Sequence, residues 1–246
     1  MCTMNHKICL LILIFYLIFA CSSKNPIPIE QWGGQTPPTF LFKSVDIPAC
    51  LRNKPDSMAQ MLVYYVDCAN EAKQYRTYLV PPQNATSENP KGPPWIITWN
   101  APKGYKIFLT IDGEIDGSTF NWEVKFWGTD TTTGTYYHRW VFLEADQGAS
   151  DRIGGIRVYQ ENSTELASYY NWITFHDQFM YTFSICNGNT GRTDFEIYLY
   201  QDLTGELFKR RESNWWEYKF SWKFDGSGQW WKYDDELNVI DSGSWE

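Results

Sequence analysis

The stretch NWWEYKFSWKFD alternates without a break over nine residues. Trp216, Tyr218, Phe220, Trp222 and Phe224 fall on one side, and Glu217, Lys219, Ser221 and Lys223 on the other. A period of two sends successive side chains to opposite faces of a β-strand, so this reads as a strand with one apolar and one wet face. The same alternation runs through Trp122, Val124 and Phe126 against Glu123 and Lys125, and through Phe179, Tyr181, Phe183 and Ile185 against Met180, Thr182 and Ser184. Turn pairs punctuate these runs at Asp112-Gly113, Asp116-Gly117, Thr133-Gly134, Gly154-Gly155, Asn187-Gly188, Thr204-Gly205, Asp225-Gly226 and Ser242-Gly243. From Trp95 onward the pattern predicts about 10–12 strands in an antiparallel meander, long enough to curl into a curved sheet or close into a barrel.

One segment keeps a different period. In DSMAQMLVYYVDCANEAKQYRTYL, apolar residues recur at three- and four-residue steps: Met58, Met61, Leu62, Tyr65, Val66, Ala69, Ala72, Tyr75 (or Arg76 in its place) and Leu79. Asp56 or Ser57 stands as N-cap behind Pro55, and Pro81-Pro82 ends the run. This predicts one amphipathic helix whose stripe covers the sheet. The expected fold class is mainly β (α+β), a long antiparallel meander packed with one N-terminal helix.

Ahead of the helix the composition changes twice. Met1 to Ala20 hold a single charge, Lys7, before an apolar run from Ile8 to Ala20. That run of ~13 residues is a secretory signal and falls short of the roughly 20 that a membrane-spanning helix needs. From Cys21 to Pro55 come six prolines and Gly33-Gly34, with the first half reading as an extended tether. The expected organisation is a signal at 1–20, a Pro-rich anchor linker at 21–55 and a single helix-plus-meander domain at 56–246.

The end of the apolar run, Ile18-Phe19-Ala20-Cys21 followed by Ser22 and Ser23, resembles the lipobox of bacterial lipoproteins. The resemblance covers about two dozen residues and implies cleavage before Cys21 and acylation of that cysteine with palmitate-like chains. Several such chains anchor firmly, at about 0.8 kcal/mol per buried CH2. It implies a membrane partner through a lipid anchor, in the cell envelope, at an outer membrane or cell surface. The alternative is ordinary signal cleavage with Cys21 left as a thiol or disulfide partner. Downstream, WVFLEADQGASDRIGGIRVYQ, FNWEVKFWGTD and GSGQWWKYDDELNVIDSGSW resemble a group of uncharacterised exported bacterial lipoproteins with one N-terminal helix and a Trp-rich antiparallel sheet. That resemblance spans about Asp56 to Glu246 and carries no activity or site residues with it.

Charge narrows the partners. The chain has 21 Lys and Arg against 29 Asp and Glu, a net −8, and loss of Lys7 with the signal makes it more negative still. The one dense basic cluster, Lys209-Arg210-Arg211, is flanked by Glu206 and Glu212. No nucleic-acid partner is expected. Cysteine counting leaves Cys50, Cys68 and Cys186 after Cys21; export makes one disulfide plausible, with Cys50 and Cys68 the simplest pair.

Candidate chemistry is sparse, and no cofactor is expected. Asp112, Glu114 and Asp116, then Gly117 and Glu123, approximate an EF-hand spacing, yet both flanks read as strands where that motif needs helices. These three acids are weak metal candidates in what is otherwise a hairpin turn. His138 in YYHRW and His176 in FHDQF read as strand positions, and no nucleophile elbow, P-loop or HExxH pair is present. With nothing to select two facing carboxylates, a glycoside hydrolase is the less favoured reading, and a non-enzymatic envelope structural or interaction module the favoured one. The alternative is a carbohydrate- or lipid-binding protein using exposed aromatics. Among 13 tryptophans, the doublets Trp215-Trp216 and Trp230-Trp231 must split between the two faces of a strand. Trp127, Trp216 and Trp231 are the candidate contacts for a glycan, lipid or protein ligand.

Overall fold

A computed structural model of the chain describes residues 36–88, 92–113, 118–150, 152–186, 192–210 and 216–246. A short helix α1 (Ala49–Arg52) precedes α2 (Ser57–Asn70), which tightens into a 3-10 segment (Glu71–Tyr75) and relaxes again as α3 (Arg76–Leu79). Thirteen strands follow: β1 (Thr86–Ser87), β2 (Trp95–Asn100), β3 (Lys106–Gly113), β4 (Thr119–Thr129), β5 (Tyr136–Gly148), β6 (Ile153–Tyr159) and β7 (Leu166–Phe175), then β8 (Gln178–Cys186), β9 (Arg192–Tyr200), β10 (Gly205–Arg210), β11 (Trp216–Trp222), β12 (Gly228–Tyr233) and β13 (Val239–Trp245). They pair in sequence order, every neighbour antiparallel, as one sheet. The sheet is open, with β1 and β13 as its edges, so the barrel alternative does not hold. Twelve strands fall in the region from Trp95 onward, and β1 is a two-residue addition inside the expected loop.

The helix forms where the three- and four-residue pattern places it. Asp56 caps it, its carboxylate accepting from the Met58 and Ala59 N–H at 2.8 and 3.0 Å. Leu62, Tyr65, Val66, Ala69, Ala72 and Leu79 are buried, joined by Ala59, Val63 and Cys68 from the flank of the stripe. The rod crosses the strands rather than following them. Tyr65 meets Phe195 and Phe220 on β9 and β11, Tyr75 meets Phe142 and Tyr170 on β5 and β7, and Tyr78 meets Phe126 on β4. From β11 to β4 is seven strand spacings, ~34 Å. A helical rod from Ser57 to Leu79 is about as long at 1.5 Å per residue. Where α2 gives way to the 3-10 segment, the buried Tyr181 hydroxyl donates to the Ala69 carbonyl at 3.0 Å, which supplies a partner at that irregularity.

Half of the expected linker belongs to the packed domain. Phe40, Val45, Ile47 and Leu51 are buried. The Phe40 ring stands edge-on to Trp122 of β4 and Trp172 of β7, at 5.1 and 5.7 Å between centroids. The backbone of this segment has no strand beside it, and two side-chain amides act as one. Gln147 accepts from and donates to Leu41, both at 3.0 Å, and Asn70 does the same for Val45 at 3.0 and 2.9 Å.

Across the inner face, tryptophan is matched to glycine. Gly154 stands opposite Trp172, Gly205 opposite Trp222, Gly228 opposite Trp245 and Gly243 opposite Trp230. A Cβ at Gly205 would meet the Trp222 ring at 2.4 Å and the Tyr198 carbonyl oxygen at 2.5 Å; one at Gly228 would meet the Trp245 ring at 2.2 Å and the Ser221 oxygen at 2.5 Å. Each indole lies flat over the neighbouring strand where only a glycine leaves room, which gives the repeated Gly and Trp of the carboxy-terminal hairpins a packing reason.

Two expectations need correction. Cys50 and Cys68 are free thiols: Cys50 sits against the β11–β12 turn, near the Phe224 carbonyl, while Cys68 is buried on α2. Trp216 does not share a face with Tyr218, Phe220 and Trp222. A register shift between Lys209 and Arg210 leaves Glu217 as an extra residue, turned inward to Lys209. Trp216 is thereby carried to the outer face, beside Phe208 and Arg210. Phe224, placed in the same strand by its period, lies in the turn beyond it.

Two outcomes follow from this packing. Gly228→Ala is expected to lower unfolding stability by about 1–3 kcal/mol in urea titration, because the conflict includes backbone, whereas Gly148→Ala, whose Cβ makes only ordinary contacts, stays within about 0.5 kcal/mol. Burial, with nearby carboxylates, raises Tyr65, Tyr137, Tyr159 and Tyr198 from 10 to about 12. The folded protein therefore keeps protons that the unfolded chain loses above pH 10. The stabilisation is complete below that pH and disappears towards pH 12, so the urea midpoint should fall across pH 10–12, followed by fluorescence.

Candidate functional site

Strand β5 is 13 residues long and β6 only seven. β4 pairs with β5 along its whole length, but β6 pairs with it only from Leu143 to Gln147. The first half of β5 therefore leaves the β6 ladder. Two register shifts against β4 help it do so, one leaving Phe142 unmatched and the other Arg139. Such bulges bend a strand and re-aim side chains. Phe142 turns inward to the helix, meeting Tyr75 and Tyr78. Arg139 takes a left-handed backbone, φ 51°, a conformation that suits Gly or Asn far better than arginine.

The β6–β7 turn reaches back towards this freed strand. Asn162 donates to the Tyr136 carbonyl at 3.4 Å, the Trp140 indole donates to the Ser163 carbonyl at 3.1 Å, and the Tyr137 hydroxyl donates to Glu161 at 3.0 Å. Between turn and strand lies a cleft of about 880 Å³, lined by Tyr136, His138, Arg139, Trp140, Glu144 and Tyr159 on one side and by Asn162, Ser163 and Thr164 on the other.

The chemistry of the cleft is mixed. The Arg139 guanidinium lies over the half-buried Trp127 ring at 5.0 Å, with the His138 ring 5.6 Å from the same indole. Among the described residues Arg139 forms no ion pair, so its fork of donors is not committed to a carboxylate. Glu144 accepts from the Tyr159 hydroxyl, and burial together with that bond holds the phenol protonated, up to about 12. Tyr136 presents an exposed ring at the mouth. Donors, acceptors and aromatic faces are thus all present, and the hydroxyl–carboxylate pair of the lining, Tyr159 and Glu144, keeps its phenol protonated.

Of the residues singled out by sequence, His138 lines this cleft and Trp127 stands beside it, under the Arg139 guanidinium. Trp216 and Trp231 are half-buried on the same outer face but seven and eight strands away. They belong to a separate lattice: Arg210 stacks on Trp216 and pairs with Glu196, while Lys219 lies over Phe208 and Trp231 and pairs with Glu206. The three tryptophans do not form one row. Asp112 is the last residue but one of β3 and accepts from its neighbour's N–H, and Glu123 pairs with Lys125 on β4; the acidic segment therefore has a strand on either side. Glu114, Asp116 and Cys21 lie outside the described residues. His176 is in the β7–β8 turn, φ 45°, not in a strand. Sequence reading missed Arg139, Tyr136, Glu144, Tyr159 and the 162–164 turn. The available signal was a broken alternation in β5, where the doublets Tyr136-Tyr137 and Phe142-Leu143 interrupt the period of two.

No protein-family model matches this chain, and no curated protein is similar to it. The fold and cleft define a class in structural terms alone: an open antiparallel meander over a crossing helix, with a lateral cleft where one strand outruns its neighbour.

The strained arginine offers a direct check. A left-handed conformation costs a non-glycine residue roughly 1 kcal/mol, and the stack on Trp127 returns about 0.5–1 kcal/mol. Arg139→Gly is accordingly expected to leave stability within about 1 kcal/mol of wild type in denaturant titration. A large loss would show that the guanidinium holds the fold together.

Proposed function

We propose that the protein is an exported, lipid-anchored binding module of a bacterial cell envelope, without enzymatic activity, and that the β5–β6 cleft takes a neutral carbohydrate. The sequence Ile18-Phe19-Ala20-Cys21 supports the anchor. The observation that carries the ligand reading is the uncommitted Arg139 stacked on Trp127 within a cleft that also offers Glu144, Asn162 and an exposed Tyr136 ring. Sugar hydroxyls both donate and accept, so they match a lining that mixes Arg139 and Asn162 with Glu144. Sugar C–H faces match aromatic rings. An anion would meet Glu144 on a chain of net charge −8, and a lipid tail would meet polar groups on both walls.

The test is glycan-array screening of the full chain isolated from membranes, followed by titration calorimetry on any hit. Arg139→Gly should weaken binding about tenfold or more while the fold persists, the loss expected for a charge-assisted hydrogen bond. Intact mass on the same sample reads acylation at Cys21. If no glycan binds, the carbohydrate reading falls and a structural or protein-directed role takes its place.

A further inference from the structure

The two ends of the sheet differ in what their turns expose. At one end lie four consecutive hairpin tips, β5–β6, β7–β8, β9–β10 and β11–β12, spaced two strands or ~10 Å apart. Each offers a large apolar side chain to solvent. Ile153, Phe175, Tyr200 and Leu203 are 39–46% exposed, and Phe224 is 70% exposed. The described charges around these tips are few and of both signs: Arg152, Lys223 and Lys54 beside Asp177, Asp202, Asp225 and Glu246. Asp202 and Asp225 are turned back onto their own turns, each accepting from the N–H and hydroxyl of the residue two positions on, Thr204 or Ser227.

The opposite end is polar and acidic. Its described turns, 101–105, 130–135, 160–165 and 234–238, carry Asp130, Glu161, Glu165, Asp234, Asp235 and Glu236 against Lys103. Leu237 is the large apolar residue exposed within those turns, and Tyr136, just after one of them, faces the cleft. Val239 and Ile240 are exposed on the edge strand β13 rather than at a tip.

The chain enters the fold at the apolar end. Leu41 is held by Gln147, one residue before the end of β5 and beside the β5–β6 tip. Cys21 precedes Thr36, the first described residue, by 15 positions, ~50 Å at full extension. We infer that Ile153, Phe175, Tyr200, Leu203 and Phe224 form a rim that rests in the surface of a phospholipid bilayer, beside the point where the tether from Cys21 arrives. The inference rests on the lipid-anchor reading. Scattered apolar tips with few charges of mixed sign suit the interface of zwitterionic lipid, which rewards buried apolar area and places no demand on charge. The rim at the membrane leaves the carbohydrate cleft, built from turns of the other end, facing away from it.

The experiment uses the full chain isolated from membranes and reconstituted on phosphatidylcholine vesicles. Hydroxyl-radical labelling of each side chain is read by peptide mass spectrometry, and acylation of Cys21 by intact mass. Phe224 is the most exposed of these residues in the free fold, so by exposure alone it should label above Tyr136 and Leu237. The rim reverses that order: Phe175, Tyr200, Leu203 and Phe224 lose labelling, while Tyr136 and Leu237 keep theirs. The double substitution Phe175→Ser, Phe224→Ser, at exposed positions that the fold does not need, should restore labelling of Tyr200. Acylated protein with a fully labelled rim overturns this inference and leaves the anchor standing. A protected rim without acyl chains keeps the rim and removes the anchor. A labelled rim without acyl chains overturns both.

Discussion

Everything in this fold depends on covering one face of a thirteen-stranded sheet with a single helical rod. A meander this long presents rows of apolar side chains far wider than one helix can shield by lying along a strand. The rod therefore crosses the strands, and three of its four tyrosines, Tyr65, Tyr75 and Tyr78, touch partners from β11 to β4. What the rod cannot reach is closed by the preceding segment, with Phe40 between Trp122 and Trp172, and by indoles laid over glycines on neighbouring strands. Large flat side chains are an economical way to fill a wide, shallow space, since each buries a large area from one backbone position. The cost is tolerance: a methyl group added at Gly205 or Gly228 has nowhere to go.

The cleft arises from the same architecture through a mismatch of lengths. β5 must be long to pair with β4 across the full width of the sheet, while β6 is short. The surplus half of β5 is then free to bend, and the bulge at Arg139 bends it. Strain accepted at one backbone position places a guanidinium on Trp127 and opens a wall of polar groups opposite the β6–β7 turn. The proposed binding role and the proposed membrane rim use opposite ends of the strands, so neither surface competes with the other.

Much of the fold was legible along the chain. The helix announced itself by Asp56 and by the spacing from Met58 to Leu79, and the strands by alternation that holds wherever one face is buried, as in Trp122-Val124-Phe126. Legibility failed where pairing departs from regular register. Glu217 is an extra residue in β11, and one extra residue sends Trp216 to the other face, though the local pattern reads straight through it. The site was less legible than the fold for the same reason. Trp127 could be picked out as an aromatic on an outer face, but Arg139 and Glu144 are unremarkable in sequence, and the Asn162–Thr164 turn meets them only across the gap that β6 leaves.

The sequence by itself determined the element types, their order and which side of most strands is apolar, because these follow from periodicity and turn chemistry within a few residues. Tertiary structure alone decided three things: that the sheet stays open, that residues 40–52 join the core rather than trail as linker, and that a cleft forms beside Arg139. Each depends on distances between segments far apart in the chain, on how long one strand is relative to the next and on which side-chain amide finds which backbone. Those are sums over the packed molecule, and no local pattern encodes them.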